Sequence, residues 1–166
     1  MTNSKQFKKL INFNIDEFIN QIPKIGSIIG LDLGEKRIGI AISDENRSIV
    51  IGVKHIDRKK LITDINIISK IIDENNITAI IVGRPLNIYG KPGKKSQSIR
   101  RLSEEINKTI QLPLLFWDER FSSQAVEKMM ITDIGLSRNK RKELIDSSAA
   151  CWILEGALKR IKINII

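Results

Sequence analysis

Cysteine and histidine are almost absent from this chain: its 166 residues hold one of each, Cys151 and His55. A single cysteine excludes an internal disulfide and any cysteine-based zinc site. The single histidine has no catalytic partner patterned beside it. A His/Ser/Asp triad therefore has no support, and His55 reads as structural or solvent-facing. No run of 18 or more apolar residues occurs, so no membrane span is expected. The N-terminal lysines precede apolar residues interrupted by Asp16 and Glu17, unlike a signal peptide. Cytoplasmic residence follows as the expectation. There is no internal repeat and no low-complexity segment. Acidic residues are scarce relative to basic ones: 19 Asp and Glu against 28 Lys and Arg, a formal charge of +9. Such an excess favours a polyanionic partner, nucleic acid first.

What is present is an ordinary globular chain long enough for one domain and an appendage. Residues 1–24 read as an N-terminal extension. A short helix is expected from Asn14, with Ile15, Phe18, Ile19 and Ile22 at helical spacing and Pro23 ending it. Residues 25–166 read as the folded domain. Ile28–Leu33, Ile38–Ser43 and Ser48–His55 are apolar runs separated by short turns, which predicts an antiparallel meander. Arg58–Asn75 has Leu61, Ile65, Ile68 and Ile72 on one helical face. Thr78–Gly83 is a continuous apolar run, as a strand covered on both faces should be. Residues 84–93 carry Pro85, Gly90, Pro92 and Gly93 and read as a loop. Ser96–Ile110 predicts an amphipathic helix and Leu114–Trp117 a short buried strand. Phe121–Met130 and Lys140–Ile161 predict two further helices. The order β-β-β-α-β-α-β-α-α predicts an α/β fold: a mixed five-stranded sheet, three antiparallel strands then two parallel, with helices on both faces. Ligands of such sheets bind outside the carboxyl ends of the parallel strands.

One residue breaks the apolar pattern of the first strand. Asp32 lies in IIGLDLG, and an unpaired carboxylate buried in a sheet costs on the order of several kcal/mol. A chain tolerates that charge mainly where it has a partner, a metal or a task. Asp118 and Glu119 lie at the carboxyl end of the fifth strand, in LLFWDER, along the same predicted sheet edge. Asp146 shares a helical face with Ala149, Ala150 and Ile153 in ELIDSSAACWILEGAL, where small residues allow the helix to approach the sheet closely. Three convergent carboxylates repel one another unless a cation intervenes. Oxygen-only donors suit Mg²⁺ or Mn²⁺. Each acid also has a plainer reading: Asp32 capping a turn, Glu119 pairing with Arg120, Asp146 on a solvated face.

The ordered pieces GLDLGEKRIGIAISD, IIVGRPLN, WDER and GLSRNKRKELIDSSAA resemble the YqgF family of Holliday-junction-resolvase-like proteins, within the ribonuclease H-like fold. The resemblance runs from Ile28 to about Leu158. It implies a divalent-metal-dependent nuclease, with Asp32, Glu119 and Asp146 as catalytic metal ligands. It further implies processing of the 5′ end of pre-16S rRNA, with branched DNA as the alternative substrate. Under a two-metal scheme Asp32 would bridge the ions, and Glu119 and Asp146 would each hold one. This chain departs from the family's pattern at Arg84, where an apolar residue is common, and in its longer N-terminus.

The basic residues fit either substrate. Lys91, Lys94 and Lys95 occupy the Gly/Pro loop, with Arg100 and Arg101 in the next helix. Arg138, Lys140, Arg141 and Lys142 precede Asp146. With Arg84 and Arg120, these are the candidate nucleic-acid contacts, although a solvated face would carry the same composition. Trp117, Cys151 and Trp152 read as core, and Tyr89 in the loop as a weak stacking candidate. Asp32, Gly34 and Gly39 also resemble the phosphate hairpin of actin-like ATPases and sugar kinases. Those folds need two related domains, and no second hairpin occurs here. A non-catalytic RNA-binding assembly factor would keep the basic clusters without needing the acids. A homodimer is left open.

Overall fold

The computed structural model describes residues 10–121 and 137–165; the side chains of residues 138–148 lie outside the description. Three strands form the predicted meander: β2 (Ser27–Leu33), β3 (Arg37–Ser43) and β4 (Val50–Asp57). Helix α2 (Leu61–Glu74) then crosses to β5 (Ile77–Arg84), and α3 (Lys94–Ile110) crosses to β6 (Leu114–Asp118). β5 pairs in parallel with both β2 and β6. After a 3₁₀ turn over Glu119–Phe121, the long α4 (Arg138–Ile165) closes the fold. The helix expected over Phe121–Met130 lies, from residue 122 on, outside the described residues. Among the described residues, no helix is long and apolar enough to cross a membrane.

Among the described residues the sheet has six strands, not five, in the order β1-β6-β5-β2-β3-β4. The additional strand is β1 (Ile11–Asn12), which lies parallel to Leu114–Leu115 and comes from the N-terminal extension. Two residues are too few to show a period-of-two pattern, so sequence periodicity could not reveal it. Side chains fasten the extension further. Asn12 Nδ2 donates to the Leu114 carbonyl (3.3 Å) and to Gln21 Oε1 (3.0 Å). Asn14 caps the expected short helix α1 (Ile15–Ile19) through the Asp16 and Glu17 amides, and Phe18 is fully buried against α4. Arg47, buried and in the left-handed region at φ 57°, donates to the carbonyls of Gly26 and Pro23 (2.9 and 2.7 Å).

Strand alternation divides the core into two layers. Ile29, Leu31, Leu33, Ile80, Val82, Leu114 and Phe116 face α2 and α3. Ile28, Ala79, Ile81, Leu115 and Trp117 face α4, against Ala150, Ile153, Leu154, Ala157 and Leu158. The helix reaches the sheet through a bare position. A Cβ at Gly30 would lie 2.8 Å from the Leu154 Cβ and 3.1 Å from the Ala150 carbonyl oxygen. Neither atom is the end of a flexible side chain, so Gly30→Ala must push α4 outward. The expected cost is about 1–3 kcal/mol, read as a lower urea midpoint at unchanged m-value.

Candidate active site

Asp32 is two residues beyond Gly30 and therefore on the α4 face of the sheet. The paired row Leu31–Val82 puts Asp32 beside Gly83 one step further on. On the other side of Gly83 is Trp117, again by register. The chain leaves β6 into the 3₁₀ turn at Glu119, whose Oε1 lies 2.7 Å from where a Gly83 Cβ would be. Ile153 of α4 occupies the same spot from the helix side. A side chain at position 83 would displace both. Gly83 is thus the bare strand position that lets the Glu119 carboxylate lie flat beside the strand bearing Asp32. Strand spacing puts the two acidic positions one to two strands apart, about 5–10 Å. Sequence reasoning passed over Gly83; its signal was a glycine ending an apolar strand level with Asp32.

Asp32 is half-buried, not sealed in the core. It stands one residue before the end of β2, where the sheet edge opens to solvent, and its charge costs less there than mid-strand. Asp146 lies on α4 one helical turn before Ala150, whose carbonyl sits over Gly30. Its side chain is outside the description. Among the described residues, no group of three or more His, Cys, Asp or Glu stands where it could hold a metal. The donor chemistry of the described pair nevertheless fits a hard divalent cation, since both are carboxylates and lie on one face of the sheet.

Asp118 is drawn away from this pair. It faces Arg120, whose Nε lies 3.0 and 2.9 Å from its two oxygens and whose Nη2 lies 2.6 Å from Oδ2. The Arg120 amide also donates to Oδ1 (3.0 Å). Burial opposes ionisation of Asp118. The Arg120 hydrogen bonds and the Arg120 and Arg84 charges outweigh it, holding the carboxyl below its ordinary range. Arg120 reaches the 84–93 loop as well. Its Nη1 donates to the Asn87 carbonyl (3.4 Å), and its guanidinium lies against Gly90, which sits at φ 75°. The Asn87 side chain in turn accepts from the Tyr89 and Lys91 amides. Arg120 therefore ties the strand end to a folded loop and orients Asp118.

The basic candidates divide. Lys91, Lys94 and Lys95 are exposed. Lys94 and Lys95 begin α3, whose first turn holds no acid, so two like charges oppose the helix dipole there. Arg84 is occupied: Nε donates to Ser96 Oγ (2.8 Å), and its guanidinium lies 5.0 Å from the Phe13 ring centroid. Arg138, Lys140, Arg141 and Lys142 form the first turns of α4, with side chains outside the description. His55 faces Asp57 at 3.8 Å. Burial, then the charge of Glu155, pushes the Cys151 thiol up to about 11, so it is un-ionised near neutrality.

Comparisons with known proteins follow this geometry. The profile described as "RuvX: Holliday junction resolvase" matches residues 26–160. A Rhodobacter capsulatus protein named "Putative pre-16S rRNA nuclease" is 40% identical over 147 residues, covering 89% of this chain and 92% of its own. A Bartonella quintana protein of the same name is 40% identical over 149 residues, covering 90% and 93%. Thermus thermophilus RuvC in complex with a Holliday junction superposes with a TM-score of 0.53 at 13% identity, over 82% of this chain and 96% of that one. At that identity the likeness shows the fold, which is the ribonuclease H-like sheet expected from the sequence.

Two outcomes follow from this geometry. Gly83→Ala should lower divalent-ion affinity about 10–100-fold by displacing Glu119, as measured by Mn²⁺ titration calorimetry. The Asp118–Arg120 pair, with a folded-state pKa below the unfolded one, should contribute fully above the ordinary value of 3.8. That contribution should vanish as pH falls through the lower folded-state value. A carboxyl-carbon NMR titration of Asp118 with its midpoint at or above 3.8 would contradict the pairing.

Proposed function

The chain belongs to the RuvX family of Holliday junction resolvases, phosphodiester-hydrolysing enzymes that act on nucleic acid, and within it we propose a divalent-metal-dependent nuclease acting on pre-16S rRNA in the cytoplasm. The observation that carries this reading is the pair Asp32 and Glu119 flanking Gly83 on one sheet face. Residues 25–166 form the nuclease domain in this reading, and residues 1–24 the extension.

Asp32, Glu119 and Asp146 are the residues that would hold Mg²⁺ or Mn²⁺. Such an ion, when bound, supplies countercharge to the scissile phosphate and lowers the pKa of water. The protein's own residues do the rest. Gly83 keeps the Glu119 carboxylate low against the strand, and Arg120 keeps Asp118 from competing for the same ion. Lys91, Lys94 and Lys95 hold the sugar-phosphate backbone as it crosses the carboxyl edge, with Arg138, Lys140, Arg141 and Lys142 on the α4 side. Arg84 contributes charge through its stacked position, not through a free guanidinium. The RNA reading draws on the names of relatives 40% identical over nearly the whole chain. The family description favours a second reading, four-way junction DNA, for which a homodimer would present two such edges.

Cleavage of an rRNA precursor, single-stranded RNA and a four-way DNA junction, each with and without Mn²⁺, separates these readings. Asp32→Asn, Glu119→Gln and Asp146→Asn should each bring precursor cleavage below detection while leaving RNA binding intact. Normal cleavage by all three would remove the catalytic assignment. Binding without cleavage of any substrate by the wild type would leave a non-catalytic assembly factor.

A further inference from the structure

The N-terminal extension does more than lengthen the sheet. Phe13 follows directly on β1 and stacks on Phe116, with ring centroids 5.0 Å apart and planes at 24°. The Arg84 and Arg100 guanidiniums lie 5.0 and 5.3 Å from its centroid. Two arginines converging on one ring repel each other, and Arg100 accordingly helps depress the Arg84 pKa, after burial. Despite these neighbours Phe13 is 49% exposed. The same residue walls a cleft of about 590 Å³ between the extension, β6 and the second half of α4. Trp117 and Trp152 line it, and Lys159 and Arg160 stand exposed at its rim. Of the two acids that also line it, Asp118 is neutralised by Arg120 and Glu155 is exposed.

We propose that this cleft is a subsite for an unpaired nucleotide of the substrate, with the base stacked among Phe13 and the cleft aromatics, the flanking phosphates held by Lys159 and Arg160 at the rim, and positive charge supplied from behind Phe13 by Arg84 and Arg100, which stay bonded to Ser96 and Glu104. The inference rests on the nucleic-acid reading above and adds what the extension does within it. Aromatic rings interleaved with cations are what a single strand requires, because every base offers a π-face and every linkage a negative charge. The cleft lies next to the candidate active site. Trp117 lies in register with Gly83, and Asp118 in the cleft wall adjoins Glu119. β1 ends at Asn12, so beyond Leu115 the outer edge of β6 has no strand paired to it among the described residues. A strand of nucleic acid can therefore run along that edge to the carboxyl end of β6, where Glu119 begins the 3₁₀ turn. A peptide or a second copy of this chain would find less there, since Lys159 and Arg160 line the opening and two further cations lie on the Phe13 ring.

The test uses the full chain in EDTA, so that binding is read without cleavage. A fluorescein-labelled oligouridylate is compared with an abasic ribose-phosphate oligomer of equal length by anisotropy. The wild type should prefer the oligouridylate. Phe13→Leu keeps apolar volume but removes the π-face. It should bind oligouridylate at least about fivefold more weakly, with abasic binding unchanged. Lys159→Glu combined with Arg160→Glu, at exposed positions that leave folding intact, should weaken both and flatten the salt dependence of log K by about 0.7 per lost phosphate contact. Unchanged oligouridylate affinity in Phe13→Leu overturns the subsite. If that variant fails to fold, an unchanged affinity and salt slope in the double charge reversal overturns it instead. A wild type without base preference, or one whose cleft is covered by self-association in sedimentation, overturns it too. Cleavage is scored separately. Active wild-type enzyme with unaffected Phe13→Leu binding removes the cleft alone, whereas a base preference lost in Phe13→Leu, in a protein that cleaves nothing, supports the cleft and removes the nuclease.

Discussion

The fold depends on the approach of α4 to a sheet surface stripped of side chains at two points. Gly30 admits the backbone of Ala150 and the Cβ of Leu154; Gly83 admits Ile153 and the Glu119 carboxylate. At Gly156 the roles reverse, and the helix lacks the side chain while Trp117 of the sheet fills the space. These close approaches set the height of the helix above the sheet. They also set the space over Gly83 that the Glu119 carboxylate takes. A larger residue at either strand glycine would fill the core and raise the helix, at the expense of the space beside the acids.

That geometry explains how two neighbouring acids acquire different roles. Asp118 and Glu119 are consecutive, but the strand ends between them. Asp118 takes the last strand position, level with Arg84, and is held by Arg120. Glu119 starts a 3₁₀ turn and folds back over Gly83. Arg120, for which the sequence left both Glu119 and a phosphate open as partners, bonds Asp118 and the Asn87 loop. A tight charge pair at the strand end holds one carboxylate while the turn carries the next one over Gly83.

The extension shows a related economy. Its two-residue strand contributes little hydrogen bonding, yet it carries Phe13 to the same carboxyl edge as the acids and stacks it on Phe116. A buried Phe18 and the Arg47 bonds to Pro23 and Gly26 secure the segment behind it. Arg84, the residue that departs from the family's pattern, contacts this added ring together with Arg100. The departure and the extension meet at a single place on the surface.

Much of this was legible in the sequence, because apolar periodicity and short turns are local properties. The meander, the two crossovers, the long last helix and the parallel placement of the first, fourth and fifth predicted strands follow from run lengths and connection lengths. Asp32, Glu119 and Asp146 stood out because a charge in an apolar run or beside small residues carries a cost that demands a reason. The sixth strand, the use of Gly83 and the partner of Arg120 were not legible. Each depends on what lies across a strand or beneath a helix. Two residues of β1 have no period, a glycine does not announce what fills its missing side chain, and an arginine between acids can pair with either. By itself the sequence determined which elements form and which charges need explaining; only the tertiary structure decided which of those charges meet, because the distance between side chains is set by strand register and helix height.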